Sequence, residues 1–260
     1  MLSDTEIWQQ WLEWLPTAPP VDRPAPLIRQ YRARLVEAGV SEADADDQLA
    51  AILRLMRTET GGWRLLFNNI YASPSPGFKT EPNALLVSAV EGHPPGRALD
   101  IATGQGRNAV FLALKGWDVT GLDISDEGLK IATSHAERAG VKIRTALESH
   151  AAFDFGTALW DLIVITYVPV PLTAAEYVER ISNSLRPGGL VVVESFASDA
   201  TARERKPVDI DPADLRRAFA GFRILHFADT LAMPDWEPEA TRLARMIAEK
   251  QRAPSNIDSG

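Results

Sequence analysis

The chain opens on a helical period. Ile7, Trp8, Trp11, Leu12 and Leu15 share one face of a helix predicted over residues 3–15, and a proline-rich stretch, 16–26, ends it. A second amphipathic segment covers 27–38 and stops at Gly39. A third starts from a loose capping box at Ser41 and Asp44 and runs through Leu49, Ile52, Leu53 and Met56 until Gly61 and Gly62 close it. From Ala98 onward the pattern changes to short apolar runs alternating with helical segments. Strands are predicted at 98–102, 118–124, 142–148, 161–167, 190–196, 222–229 and 244–252, the last also suiting a helix. Helices are predicted at 107–115, 125–139, 173–185 and 211–219, with Gly116 and Gly140 as stops and Asp211-Pro212 as a start.

Strand–helix alternation of this kind predicts an α/β fold with a largely parallel sheet covered on both faces. The expected organisation is an N-terminal helical extension (1–62), a lid or linker (63–83) around the breaker cluster Ser73-Pro74-Ser75-Pro76-Gly77, a core (84–252) and a flexible tail (253–260). Three tryptophans in the first helix read as an anchor on the body of the protein or on a partner chain, which leaves a homo-oligomer through these helices as an expectation.

The chemistry concentrates between Arg97 and Ser125. The first core strand delivers Asp100 to its C-terminal end, the turn Thr103-Gly104-Gln105-Gly106 follows, and the next strand ends in Asp123, nineteen residues beyond Gly104. Glycines let a ligand lie against the backbone, and a carboxylate at the second strand end can accept hydrogen bonds from ribose hydroxyls. The spacing Gly104-x-Gly106-x-x-Ala109 also satisfies the dinucleotide fingerprint, so an NAD-dependent oxidoreductase competes. Asp100 opposes it, because an acidic group before the turn repels a pyrophosphate and suits a cationic amino-acid ligand.

Residues Leu99 to Gly106, LDIATGQG, resemble motif I of class I S-adenosylmethionine-dependent methyltransferases, and Gly106-Arg107-Asn108-Ala109 resembles the small-molecule, tellurite-resistance-type branch. Gly121 to Ser125, Trp160 to Val164, Leu185 to Gly189 and Phe78 to Asn83 resemble further segments of that branch in the right order. The resemblance implies a Rossmann-like, doubly wound seven-stranded sheet, mostly parallel with an antiparallel C-terminal strand. It also implies S-adenosylmethionine as cofactor. Asp100 would engage the methionine ammonium, Gly104 and Gly106 would let the methionine moiety and ribose approach the backbone, Thr103 and Asn108 would join them in binding the cofactor, Asp123 would take the ribose, and Ile124 would lie on the adenine. Glu148 stands where the branch carries an adenine-binding aspartate, with His150 a weaker candidate.

Tyr167, ending the fourth strand, and Glu194, a carboxylate inside Val191 to Phe196, are the candidate catalytic residues. A charge in so apolar a strand is costly unless it faces a site or a partner. In-line methyl transfer rests mainly on proximity, but a hydroxyl or amine acceptor would need a base, and these two are the first suspects. Arg203, Arg205 and Lys206 form a basic loop that suits an anionic acceptor or simply solvent. A non-catalytic cofactor-binding module that recruits a partner through its N-terminal helices is the remaining alternative.

Net charge of -8 disfavours nucleic acid and anionic membranes as partners, and a small-molecule acceptor is expected. Cysteine is absent, which excludes disulfides and the thiolate route by which members of the resembling family bind arsenite. The four histidines lack ligand spacing, so no metal is expected. With no apolar run long enough for a span and no signal-like N-terminus, a cytoplasmic location is the default.

Overall fold

A computed structural model describes residues 2–56, 59, 61–198, 208–235 and 239–252. Helix α1 (Asp4–Trp14) begins with a capping box in which Ser3 and Glu6 satisfy each other's backbone N–H groups. It is followed by a 3-10 turn (Leu15–Thr17), α2 (Pro24–Glu37), α3 (Glu42–Leu55, capped by Ser41) and α4 (Gly61–Tyr71). These helices spend their apolar faces on one another. Trp11, Leu15, Leu27, Tyr31 and Ile52 are fully buried in a single cluster that also takes in Leu66 and Ile70 of α4. Trp11 meets Tyr31 edge-on at 4.9 Å between ring centroids, so the first helix anchors within its own chain.

Helix α4 corrects the expectation that Gly61 and Gly62 end a helix and open a linker. They begin one. A Cβ on Gly62 would stand 2.5 Å from the Trp8 ring, so the glycine lets two helices touch and does not mark a break.

The second unit carries α5 (Ala84–Val90), β1 (Arg97–Ile101), α6 (Arg107–Leu114), β2 (Asp118–Asp123), α7 (Asp126–Arg138), β3 (Arg144–Leu147), β4 (Trp160–Thr166), α8 (Ala175–Ser184), β5 (Leu185–Phe196), α9 (Pro212–Ala218), β6 (Phe222–Ala232) and β7 (Thr241–Lys250). The sheet has seven strands in the order β3-β2-β1-β4-β5-β7-β6. Strands β1 to β5 pair in parallel, and β7 runs antiparallel to both β5 and β6. This is the Rossmann-like, doubly wound sheet that the resemblance implies.

Side chains two apart along a strand share a face, and successive ones feed opposite faces. Leu99, Ile101, Ile163, Ile165, Val191 and Val193 join one core, whereas Ala98, Leu162, Val164, Leu190 and Val192 join the other with α5 and α6. Strand β5 starts earlier than its apolar run because Leu185 pairs with Trp160 before a bulge restores register at Leu162. Chain order reverses between β1 and β4, and ligands of open α/β sheets bind at such a crevice.

Candidate active site

Both strands flanking that crevice end in strain. Ala102, just past β1, has φ 58° and Tyr167, just past β4, has φ 53°. Left-handed backbone disfavours residues with a Cβ and clusters at functional sites, where the surrounding structure holds it. Gly104 (φ 54°) continues the turn after β1, and a Cβ there would sit 2.2 Å from the Tyr71 hydroxyl of α4. Gly106 plays a different part. Its missing side chain lets α6 approach α7, since a Cβ would lie 2.7 Å from that of Ala132.

Asp123 closes β2 against this turn. Its Oδ2 accepts from the Gly104 N–H and its Oδ1 from the Ser125 N–H, each at 2.8 Å. Burial pushes its carboxyl above the ordinary range, opposed by those N–H groups. Asp100 stands behind Thr103, whose hydroxyl donates to Oδ2 at 2.6 Å; Oδ1 is buried with no hydrogen-bond partner. Burial raises the Asp100 carboxyl to about 6 despite the Thr103 hydroxyl and the nearby Arg107 cation. An orphaned, desolvated carboxylate oxygen beside a glycine turn is what an ammonium would satisfy.

A cavity of about 500 Å³ lies over these strand ends. Thr103, Gly104, Asn108, Asp123, Ile124, Glu148 and Tyr167 line it, and His150 joins them. Asp100, Gly106 and Glu194 sit one layer behind. Asn108 accepts from the Asn83 N–H at 2.9 Å and donates to the Thr166 hydroxyl at 3.3 Å, joining the start of α6 to the end of β4. Glu148 is exposed, held by its N–H to the Asp123 carbonyl at 3.0 Å. His150 packs edge-on against Tyr177, and burial, then the Arg180 charge, lowers its proton affinity.

The roof comes from the N-terminal unit. Trp63 stacks on Phe67 at 5.7 Å, Phe67 on Tyr71 at 6.2 Å, and Tyr71 meets Phe78 at 5.3 Å. All four rings line the cavity. Asn68 fastens α4 to the start of α7, donating to Asp126 at 2.8 Å and accepting from the Ser125 hydroxyl at 2.6 Å. Gln105 holds the following segment through the Lys79 carbonyl at 2.7 Å. Tyr71 lies beside Asp123 and Asp100, and burial first, then the Asp123 charge, keeps its phenol protonated far above the usual range.

Glu194 reaches a partner as well as the site. The Tyr167 hydroxyl donates to its Oε1 in a short hydrogen bond, Asn83 donates to the same oxygen at 2.9 Å, and Arg245 of β7 pairs with Oε2 at 2.8 Å. Asn83 also donates to Asp235 at 2.9 Å, and Asp235 pairs closely with Arg107. Burial, then the Glu194 carboxylate, raises the Tyr167 phenol beyond the ordinary tyrosine range.

Sequence reasoning set Tyr71 and Asn83 in the lid or linker segment and Gln105 and Arg107 in the turn motif without giving them roles in the site, and missed Asp235 and Arg245. Asn83 alone carried a local signal, an N-cap directly before an apolar run, and it does cap α5. The basic loop with Arg203, Arg205 and Lys206 lies outside the described residues, as does the tail from 253. Among the described residues no cluster could hold a metal ion, and no helix is long and apolar enough to cross a membrane.

Residues 98–189 match the family model of a methyltransferase domain. A ubiquinone biosynthesis O-methyltransferase of Vibrio parahaemolyticus is 34% identical over 102 residues, covering 36% of this chain and 41% of that protein. A protein called hemagglutinin 1 from Eikenella corrodens is 26% identical over 185 residues, covering 66% of this chain and 60% of that protein. The chain thus spans less than two thirds of the length of these relatives. Among solved structures, TehB from Haemophilus influenzae superposes with a TM-score of 0.57 at 20% identity, covering 72% of this chain and 67% of that one. A structure described by the conversion of a disulfide bond into a thioacetal group during echinomycin biosynthesis superposes equally well, TM-score 0.57 at 20% identity, covering 75% and 94%. Residues 98–189 thus match a methyltransferase domain, and the strand order agrees with the fold of these solved structures.

Proposed function

We propose that the protein transfers the methyl group of S-adenosylmethionine to a small-molecule acceptor by in-line displacement. The observation that carries this reading is the pairing of Asp123 with the Gly104 turn beneath the roof of α4. It sets a carboxylate suited to ribose hydroxyls and a side-chain-free backbone along one wall of a cavity, with the Asp100 carboxylate one layer behind. When bound, the cofactor supplies an electrophilic methyl on a sulfonium, so the chain has to position more than it has to activate.

Asp123 takes the ribose hydroxyls. Asp100, with Thr103 between it and the cavity, meets the ammonium, and Ile124 and Glu148 face the adenine. Asn108 ties the end of β4 to the N-cap of α5. The aromatic row excludes water from the reacting centre. Tyr167 and Glu194 face the acceptor side.

Titration calorimetry with S-adenosylmethionine, S-adenosylhomocysteine and NAD tests the reading. Micromolar binding of the two adenosyl ligands and none of NAD is the expected result; binding of NAD alone would overturn it.

A further inference from the structure

We infer that the acceptor is an uncharged, flat compound bearing a hydroxyl group, an aromatic alcohol rather than an oxyanion, and that Tyr167 and Glu194 together carry its proton away. This inference rests on the methyltransferase reading and adds the acceptor class.

The shape of the cavity points to a flat guest. Trp63, Phe67 and Phe78 supply ring faces and edges on the roof, and the loop 168–171, Val-Pro-Val-Pro, supplies the other long apolar stretch of lining. Offset or edge-on contact with such rings favours an aromatic ligand over an aliphatic one of equal area.

Charge argues against an anion. The carboxylates of Glu59, Asp123, Glu148 and Asp235 line the cavity against the cations Lys79 and Arg107, and Arg107 is already paired with Asp235. Among the described residues, an oxyanion entering this field would meet an excess of like charge and few charge-assisted donors.

The third observation concerns proton chemistry. A chalcogen oxyanion such as selenite attacks through a lone pair on the chalcogen and needs no acceptor for a proton. Yet the end of β4 presents a phenol hydrogen-bonded to a carboxylate that is 1% exposed, paired with Arg245 and aimed by Asn83. The Asp235 main-chain N–H also bonds to the phenolic oxygen. Such a couple suits the arrival of a proton. As the acceptor oxygen forms its bond to the methyl carbon, the carbon–sulfur bond breaks with its electron pair left on sulfur. The acceptor's hydroxyl proton passes to the Tyr167 oxygen while the Tyr167 proton passes to Glu194 Oε1. The products are the methyl ether, a neutral thioether and a protonated Glu194, so charge and atoms balance.

The test uses the full-length protein loaded with S-adenosylhomocysteine and titrated with 2-naphthol, 6-hydroxy-2-naphthoate and selenite, followed by turnover with S-adenosylmethionine. Expected are binding of 2-naphthol at least about tenfold tighter than of its carboxylate analogue, no selenite binding, and O-methylation of the naphthol. Tyr167→Phe and Glu194→Gln should each slow that turnover by about a hundredfold or more, with S-adenosylhomocysteine affinity unchanged, so that kcat falls while cofactor binding does not. Failure of 2-naphthol to bind or to be methylated, equal binding of the anions, or wild-type rates in the two variants would each overturn the inference. Loss of S-adenosylhomocysteine binding in the wild-type protein would instead remove the methyltransferase reading beneath it.

Discussion

The floor and the roof of the cavity are built by opposite means. The floor is made of main chain: strand ends bent into left-handed conformations, a turn without side chains, and a carboxylate gripped by two backbone N–H groups. The roof is made of side chains, four aromatic rings borne by α4 and the segment after it, fastened by Asn68, Gln105 and Asn83. A floor of backbone recognises what every ligand of the fold shares, whereas a roof of side chains can be exchanged piece by piece. The two regions should therefore answer differently to substitution.

The heaviest blow falls where floor and roof touch. Gly104→Ala forces a Cβ into left-handed backbone and against Tyr71, and should cost about 3 kcal/mol in stability from strain and overpacking together, read by chemical denaturation. Adding Tyr71→Phe should recover part of that loss, because the nearest clash is with the hydroxyl. Full additivity of the two changes would mean that they do not meet.

Next comes the floor alone. Asp123→Ala should weaken S-adenosylmethionine binding by about 2 kcal/mol, the scale of hydrogen bonds to a charged group. Unchanged affinity by calorimetry would remove Asp123 from the ribose.

Asp100 supplies a pH signature. Its carboxyl titrates at about 6 in the ligand-free fold, so ammonium binding requires loss of a proton below that value. Affinity should fall by about tenfold per pH unit below pH 6 and level off above it. Asp100→Asn should flatten the profile. The sign for stability is the reverse of the usual carboxylate: because the folded state holds this proton more tightly than the unfolded one, ligand-free stability falls as pH rises from about 4 to about 6. The variant should lose that fall.

The smallest effect belongs to the roof. Asn68→Ala removes two side-chain hydrogen bonds to the start of α7 and should cost about 1 kcal/mol. It should raise the cofactor dissociation rate more than it lowers the association rate. A loss as large as that of Asp123→Ala would erase the distinction between floor and roof.

The same division explains what could be read from the sequence. Asp100, Gly104 and Asp123 stand at fixed offsets in one strand–turn–helix–strand unit, so local spacing exposes them. The partners of Glu194 do not. Asn83 lies 111 residues away from it and 152 from Asp235, and only the folded chain brings these three together. Helix α4 was hidden by Gly61 and Gly62, which a local reading takes as breakers and which the fold uses for contact with Trp8. Gly106, legible as part of the turn, is left-handed (φ 81°) and also stands against Ala132 on the next helix.

The left-handed residues that end β1 and β4 also govern how this protein can drift. At Ala102 glycine is the cheap replacement: it relaxes the backbone and discards a single methyl, so variants there should accumulate with little penalty. At Tyr167 the same exchange would relax the backbone but take away the phenol that meets Glu194. Neither position admits a β-branched residue without added strain. One strand end is thus open to neutral change, while the other must keep an uncomfortable backbone to keep its side chain.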